Sequence, residues 1–202
     1  MSNSTPIVFV VDDDASVRAS LETLIACAGW QPMTFASARE FLSRPPLQAP
    51  CCLVLDVGLP DVNGLDLQKR VAAERSEMPI IFISGYGDVP MTVQAMKAGA
   101  AEFLTKPFDD CALLRAIEQA VARSRAALGR AAEARALRDR FASLTSRERQ
   151  VMALVVSGLL NKQVGAELGI SEITVKAHRG RVMRKMNANS LPRLVTMAAS
   201  LA

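Results

Sequence analysis

Five short apolar segments alternate with segments of helical periodicity over the first 122 residues, and this alternation limits the possible folds more than any other feature of the chain. Continuous apolar strands between helices are typical of a parallel sheet covered by helices on both faces. The sequence therefore predicts an α/β, doubly wound, five-stranded parallel sheet. Strands are predicted at 7–11, 31–35, 52–56, 80–84 and 103–105, and helices at 17–28, 38–42, 64–73, 90–98 and 110–122.

Polar side chains stand where four of these strands end. Asp12 and Asp13 follow the first strand and Asp56 ends the third, while Ser84 ends the fourth and Lys106 follows the fifth. Ligands bind at this edge of open parallel sheets. Neighbouring carboxylates repel one another without a cation, and all-oxygen ligands suit Mg²⁺. A carboxylate beside Mg²⁺ can attack a phosphoryl group, with a lysine and a hydroxyl stabilising the charge on its oxygens.

Each of these residues also has an ordinary structural explanation. Asp13 and Asp14 could complement the dipole at a helix N-terminus. Asp56 could begin a turn, and Ser84 and Lys106 could belong to plain loops. One shared site explains all of these positions together, whereas the alternatives require a separate coincidence at each strand end.

The C-terminal part of the chain is basic and has no strand signal. Residues 1–125 carry 11 Lys and Arg against 15 Asp and Glu, whereas residues 126–202 carry 13 against 5. An acidic domain joined to a basic one indicates a polyanion as the second domain's partner. Helices are predicted at 146–157, 161–168, 172–186 and 190–200. The predicted domains are 1–123 and 142–202, joined by a helical linker, 124–141, which is interpreted as a solvated spacer.

Residues 161–180 have the pattern of a helix-turn-helix. Gly169 can adopt the positive φ that ends the first helix, Ser171 can cap the second, and Val175 faces back toward the first. A basic helix alone is usually only a solvated face, but the turn spacing and the charge favour binding of double-stranded DNA. The predicted contact residues are Lys162, Thr174, Lys176, His178, Arg179, Arg181 and Lys185.

Four stretches resemble the signature of receiver domains of two-component systems. They are Val10-Val11-Asp12-Asp13-Asp14, Leu55-Asp56-Val57-Gly58-Leu59-Pro60, Ile83-Ser84-Gly85 and Thr105-Lys106-Pro107-Phe108. The resemblance covers about residues 6–122. Within it, the stretch 87–100 especially resembles the FixJ branch of these proteins. The resemblance implies a flavodoxin-like receiver whose Asp56 is phosphorylated by a sensor histidine kinase. Mg²⁺ would be bound by Asp12, Asp13, Asp56 and the backbone carbonyl of Gly58, and Ser84 and Lys106 would contact the phosphoryl oxygens.

The same resemblance implies a switch and a dimer surface. Ser84 would move toward the phosphoryl group and Phe103 would swing inward, although a static Phe103 is an equally good interpretation. The Lys106–Pro107 bond would be cis. Gly58 and Tyr86 would flank the path of an attacking water, so the phosphoryl lifetime does not follow from the resemblance. The implied dimer face comprises Val93, Met96, Lys97 and Glu102.

Residues 144–151, 158–162 and 169–179 resemble the LuxR-type output domain, with Gly165 replacing the usual alanine. This resemblance implies a four-helix module that binds DNA through its third helix and dimerises through its last, about 191–201. The whole chain is thus identified as a member of the FixJ-like response regulators. Phosphorylation would promote a homodimer that binds DNA sequence-specifically and regulates transcription, with activation favoured and RNA polymerase as a further partner.

Other classes of protein fit less well. No apolar stretch is long enough to cross a membrane, and the N-terminus lacks the pattern of a signal peptide, so a cytoplasmic protein is expected. The four cysteines form no CxxC pair and are expected to be buried or half-buried free thiols.

The chain would modify only itself, so it is not expected to be an enzyme. A Mg²⁺-dependent phosphohydrolase would often carry a second aspartate at the position of Gly58. A receiver that acts as a constitutive interaction module would not need the complete acidic set.

Overall fold

The computed structural model describes residues 5–85 and 89–201, and the chain divides into two compact units, Met1–Gly129 and Arg130–Ala202. The elements of the first unit are β1 (Ile7–Val11), α1 (Ala15–Cys27), β2 (Gln31–Phe35), α2 (Ala38–Leu42), β3 (Cys51–Asp56), α3 (Gly64–Glu74), β4 (Ile80–Ser84), α4 (Val89–Lys97) and β5 (Glu102–Thr105). They are followed by α5 (Asp110–Ala142), α6 (Ser146–Val156), α7 (Asn161–Leu168), α8 (Glu172–Met186) and α9 (Leu191–Ala199).

The five strands form one parallel sheet in the order β2-β1-β3-β4-β5. This is the flavodoxin-like order, in which the direction of winding reverses between β1 and β3. The predicted α/β doubly wound architecture is confirmed. The reversal places the carboxyl ends of β1 and β3 side by side, with Val11 paired to Leu55, and so opens the crevice in which a ligand can bind.

Alternate residues of the strands pack into two separate cores, one on each face of the sheet. Phe9, Leu53 and Phe82 point to the face covered by α2, α3 and α4. Val10 and Val54 point to the face covered by α1 and α5. All five side chains are almost fully buried, and burial on both faces explains why the strands are apolar without alternation.

The second unit is helical, as predicted, and its helix ends follow from identifiable caps. Thr145 accepts a hydrogen bond from the backbone N–H of Glu148, and the Glu148 carboxylate accepts one from the N–H of Thr145. Gly169 ends α7 at φ 66°, and the Ser171 hydroxyl caps α8. Val175 is completely buried. The predicted helix-turn-helix is therefore present.

The linker prediction needs correction, because both ends of 124–141 are packed. Ser124 is completely buried in the first unit, where its hydroxyl accepts a hydrogen bond from the backbone N–H of Cys51 at 3.1 Å. Leu137 and Phe141 pack against the core of the second unit. The segment is a continuation of α5, as the absence of proline allows, but it is not a solvated spacer throughout.

Two further sequence expectations concern thiols and membranes. Cys51 and Cys52 are buried, but Cys27 and Cys111 are exposed, contrary to expectation. Both lie on the outward faces of helices whose opposite faces cover the sheet. Among the described residues, no helix combines the length and the apolar character needed to cross a membrane.

Candidate acidic site and helix-turn-helix surface

Three carboxylates meet at the edge of the sheet where β1 and β3 end. One oxygen each from Asp12, Asp13 and Asp56 lies within 4.8 Å of the other two. Asp12 is completely buried, Asp56 is 8% exposed, and Asp13 faces solvent. The cluster thus has a buried floor and one open side, through which an ion or a phosphoryl donor could enter.

Lys106 brings a cation to the floor of this cluster. Its Nζ donates a hydrogen bond to Oδ2 of Asp12 at 2.6 Å and lies 3.4 Å from Oδ1 of Asp56. Its backbone N–H donates to the carbonyl of Ser84 at 2.7 Å, which ties the end of β5 to the end of β4. Ser84 is buried, and the Lys106–Pro107 bond is cis, as the resemblance implied.

The charges of the site shift the ionisation of its members. Burial raises the pKa of Asp56, the positive charge of Lys106 opposes this shift, and the negative charge of Asp12 adds to it. Burial acts to lower the pKa of Lys106, but the hydrogen bond and charge of Asp12, together with the charge of Asp56, raise it overall. Additional positive charge at the cluster would therefore favour the ionised, nucleophilic form of Asp56.

The donor set fits a hard divalent cation, since every side-chain ligand in the cluster is a carboxylate oxygen. Gly58 leaves open space beside the carboxylate cluster. A Cβ built on this exposed glycine would meet only Oδ2 of Asp56, at 3.6 Å. Asp14 has a different role, because its carboxylate caps α1 by accepting hydrogen bonds from the backbone of Ser16 and Val17. The helix-capping interpretation therefore holds for Asp14, whereas Asp13 belongs to the cluster.

The residues of the implied switch and dimer face are distributed around α4 and β5. Phe103 is half-buried, with its ring centroid 6.0 Å from that of Phe82, a packing compatible with both interpretations of this side chain. On α4, Val93 and Met96 are 44% and 42% exposed. Lys97 and Glu102 are also exposed, whereas Tyr86 lies outside the described residues.

Four of the seven predicted DNA-contacting residues are exposed. Lys162 lies near the start of α7, and Thr174, Lys176 and Arg181 lie on α8. The Lys176 ammonium is 3.2 Å from a carboxylate oxygen of Glu172, one helical turn away, but both side chains are about half exposed or more. Such a surface pair is weak, so Lys176 can exchange this partner for a phosphate.

The other three predicted contact residues are only partly exposed, and two of them have partners within the domain. Lys185 donates a hydrogen bond to the buried Glu148 carboxylate at 2.7 Å and another to a backbone carbonyl, so it forms an ion pair within the domain, and its contact with DNA stays a prediction. Arg179 is half-buried and donates to Oδ1 of Asn161 at 3.1 Å, joining α8 to the start of α7. His178 is half-buried, and its Nδ1 has no hydrogen-bond partner among the described residues.

The comparisons with known proteins agree with this geometry in both units. Residues 8–118 match the response regulator receiver domain family, and residues 142–198 match the luxR family of bacterial regulatory proteins. The chain belongs to the FixJ-like response regulators. Nodulation protein W of Bradyrhizobium diazoefficiens is 48% identical to this response regulator over 200 residues, which cover 99% of this chain and 88% of that one.

Two other similar proteins span nearly the same length. The transcriptional regulatory protein FixJ of Rhizobium meliloti is 43% identical over 191 residues, covering 95% of this chain and 94% of that one. The solved structure of the response regulator StyR is similar to this chain with a TM-score of 0.88 at 48% identity, covering 97% and 99% of the two chains. Phosphorylation-dependent regulation of transcription is therefore the function of this response regulator.

Sequence reasoning about the response regulator missed two residues of its output domain. Glu148 was predicted only as part of the stretch 144–151, but its carboxylate also accepts a hydrogen bond from Lys185, 37 residues away along the chain. Ile173 was not considered, yet its side chain is 80% exposed on the first turn of α8. The exposure of Ile173 could have been predicted from the sequence, because a helical projection places this residue on the face opposite the buried Val175.

Proposed function

We propose that a sensor histidine kinase transfers a phosphoryl group to Asp56, and that the modified protein dimerises and binds duplex DNA. The observation that carries the proposal is the position of Lys106, whose ammonium lies between Asp12 and Asp56 at the carboxyl edge of the sheet. A cation held beside a carboxylate, in a crevice that is open on one side, suits a reaction that adds negative charge there.

The transfer requires few groups. A carboxylate oxygen of Asp56 forms a bond to phosphorus as the bond from phosphorus to the kinase's histidine nitrogen breaks, and the electron pair leaves with the imidazole. Lys106 neutralises charge on the phosphoryl oxygens, and Ser84 is positioned on the adjacent strand to donate to them. Mg²⁺, held by Asp12, Asp13, Asp56 and the Gly58 carbonyl, would neutralise the remaining charge.

A groove beside Lys106 is suited to the kinase. It has a volume of about 360 Å³ and mixes apolar and small polar side chains from α1 with the loop that follows β5. Val17, Leu24 and Phe108 supply the apolar surface, and Ser20 lies at the exposed rim. A partner helix docked here would lie next to the Asp56 carboxylate, where its phosphohistidine must arrive.

The exposed side of α4 is the proposed dimer surface. Val89, Val93 and Met96 recur at helical spacing and are 76%, 44% and 42% exposed, so they form an apolar stripe without a partner among the described residues. Lys97 and Glu102 add charges of opposite sign beside it. A second copy of the chain could bury the stripe and pair these charges.

The dimer would present two copies of α8 to DNA, which raises affinity for paired half-sites. Lys162, Lys176 and Arg181 would contact phosphates, and Thr174 would lie near the base edges. RNA polymerase would then be the further partner whose activity changes. Because the target is chromosomal DNA, we place this action in the cytoplasm.

The test measures DNA affinity and oligomeric state together. Wild type and Asp56→Asn are treated with Mg²⁺ and a small acyl phosphate, then studied by sedimentation and by titration with a duplex obtained by selection from random sequences. We expect dimerisation and tighter binding in the wild type only. Equal affinity before and after treatment would instead support a constitutive receiver, and sustained turnover of acyl phosphate would support a phosphohydrolase.

A matched pair of variants tests the dimer surface separately. Met96→Lys places a charge in the apolar stripe and should accept the phosphoryl group without dimerising. Gln94→Lys adds the same charge to another exposed position of α4 and should behave as the wild type. Dimerisation of both variants would contradict the assignment of this surface.

A further inference from the structure

Ile173 is the most exposed large apolar side chain among the described residues, with 80% of its surface accessible. It is the second residue of α8, between Glu172 and Thr174. A β-branched residue is a poor choice for an exposed helix position, because it loses rotamer freedom there without gaining burial. The fold of the domain therefore gives no reason for isoleucine at this position.

The side chain lies on the face of α8 opposite the core. Val175, Val182 and Met186 are buried and mark the inner face of the helix. At 100° per residue, Ile173 projects about 160° away from Val175. We call the row of side chains that point furthest from the core the outermost line. Besides Ile173 it comprises Ala177, Gly180 and Arg184, all of which are exposed.

The outermost line differs in chemistry from its two flanks. Lys176 lies on one flank and Arg181 on the other, both exposed, so cations are available to two phosphate rows. Between them, Ala177 and Gly180 are the smallest residues of the helix, and a Cβ built on Gly180 would meet nothing within 4 Å in this protein. Packing within the domain does not require a glycine there, whereas close approach to another molecule would.

The N-terminal residues of a recognition helix are those that reach base edges in the major groove. An isoleucine side chain has no hydrogen-bonding group, and the one apolar group on the major-groove edge is the C5-methyl of thymine. We propose that Ile173 is a specificity-determining residue that contacts a thymine methyl in each half-site. The inference rests on the proposed DNA binding by α8 and extends it to a base.

The test removes the methyl group from the DNA and the isoleucine from the protein. Full-length protein, treated with acyl phosphate and Mg²⁺, first selects a preferred duplex from random sequences. Each thymidine of a half-site is then replaced by deoxyuridine, which lacks only the methyl group. We expect wild type to lose about fourfold in affinity at one thymidine in each half-site, the value for one buried methyl group.

Ile173→Ser should bind the thymidine and deoxyuridine duplexes equally, at about the affinity of wild type for the deoxyuridine duplex. The control is Leu47→Ser, which removes another exposed apolar side chain outside the helix-turn-helix and both dimer surfaces and should retain the discrimination. Thermal unfolding of both variants should match wild type, since neither side chain is buried.

Three results would overturn the inference. Wild type could show no loss at any deoxyuridine, or Ile173→Ser could retain the wild-type discrimination; either would leave DNA binding intact but assign Ile173 no contact with a methyl group. Failure of the phosphorylated protein to enrich any duplex would overturn the proposed DNA binding itself, and the role of Ile173 with it.

Discussion

Lys185 and Glu148 form an ion pair in the interior of the output domain, with 2.7 Å between Nζ and Oε2. The Glu148 side chain is only 4% exposed and that of Lys185 is 35% exposed. The same carboxylate caps α6 through the backbone N–H of Thr145. The pair therefore joins the first turn of α6 to the last turn of α8, the recognition helix.

Truncation of Lys185 should therefore affect stability rather than phosphate contact. We expect Lys185→Ala to lower the free energy of unfolding by about 1–3 kcal/mol, since it leaves a buried carboxylate without its cation. Arg184→Ala, at an exposed neighbouring position, should change it by less than about 0.5 kcal/mol. Urea unfolding followed by circular dichroism measures both, and equal effects would contradict the structural role of Lys185.

The salt dependence of DNA binding separates the cations of α8. A lysine that contacts a phosphate contributes about 1 to the slope of log affinity against log salt concentration. Lys176→Ala should lower this slope by about 1, and Lys185→Ala should leave it unchanged. A lower slope for Lys185→Ala would restore this residue to the phosphate-contacting set.

The ion pair also predicts how the stability of the output domain depends on pH. The hydrogen bond from Lys185, followed by that from the backbone of Thr145, lowers the pKa of Glu148 from 4.5 to about 2. The unfolded chain therefore takes up a proton first as pH falls. The contribution of the pair is complete above about pH 4.5 and is lost progressively toward pH 2, at up to about 1.4 kcal/mol per pH unit.

Hydrogen exchange of α6 between pH 3 and 6 can measure this contribution, with Glu148→Gln as the control because it lacks the titrating group. The wild type should lose protection faster than the variant as pH falls. Parallel loss in both proteins would show that other carboxylates cause the dependence.

Gly165 provides a test of the turn between α7 and α8. A Cβ at this position would lie 2.7 Å from the backbone carbonyl oxygen of Ile170, too close for any real contact. Although alanine favours helices by about 1 kcal/mol, we expect Gly165→Ala to destabilise the domain by about 1–3 kcal/mol because backbone must move. Gly129→Ala, in open space on α5, should be stabilising. A stabilising Gly165→Ala would contradict the close packing of this turn.

The acidic site was predictable from sequence because its geometry follows from topology. Parallel strands end at one edge, so Asp12, Asp56 and Lys106 had to meet once five strands were recognised. The contacts of α8 were harder to predict, since they depend on which side of the helix faces the domain. The charges of Arg179 and Lys185 suggested contact with DNA. Both residues lie on α8 next to its buried stripe, however, and there they bind partners within the protein.

A substitution in the groove on α1 should distinguish phosphorylation by the kinase from phosphorylation by a small acyl phosphate. Ser20→Lys places a long cation at the rim of the groove and should slow transfer from the kinase at least tenfold by obstructing docking. Phosphorylation by a small acyl phosphate should not change, since that donor needs only the acidic cluster. Glu22→Lys, at an exposed position on the opposite side of α1, is the control. Equal loss with both donors would place the defect in the site itself.

Every later step of the proposed mechanism depends on phosphorylation of Asp56, which mass spectrometry of the intact protein and its peptides can detect. Wild type and Asp56→Asn are incubated with Mg²⁺ and a small acyl phosphate, with and without a chelator. We expect one added phosphoryl group per wild-type chain, located on the peptide that contains Asp56, and none in the variant or with chelator. Equal modification of wild type and Asp56→Asn, or no modification of either, would contradict the proposed mechanism.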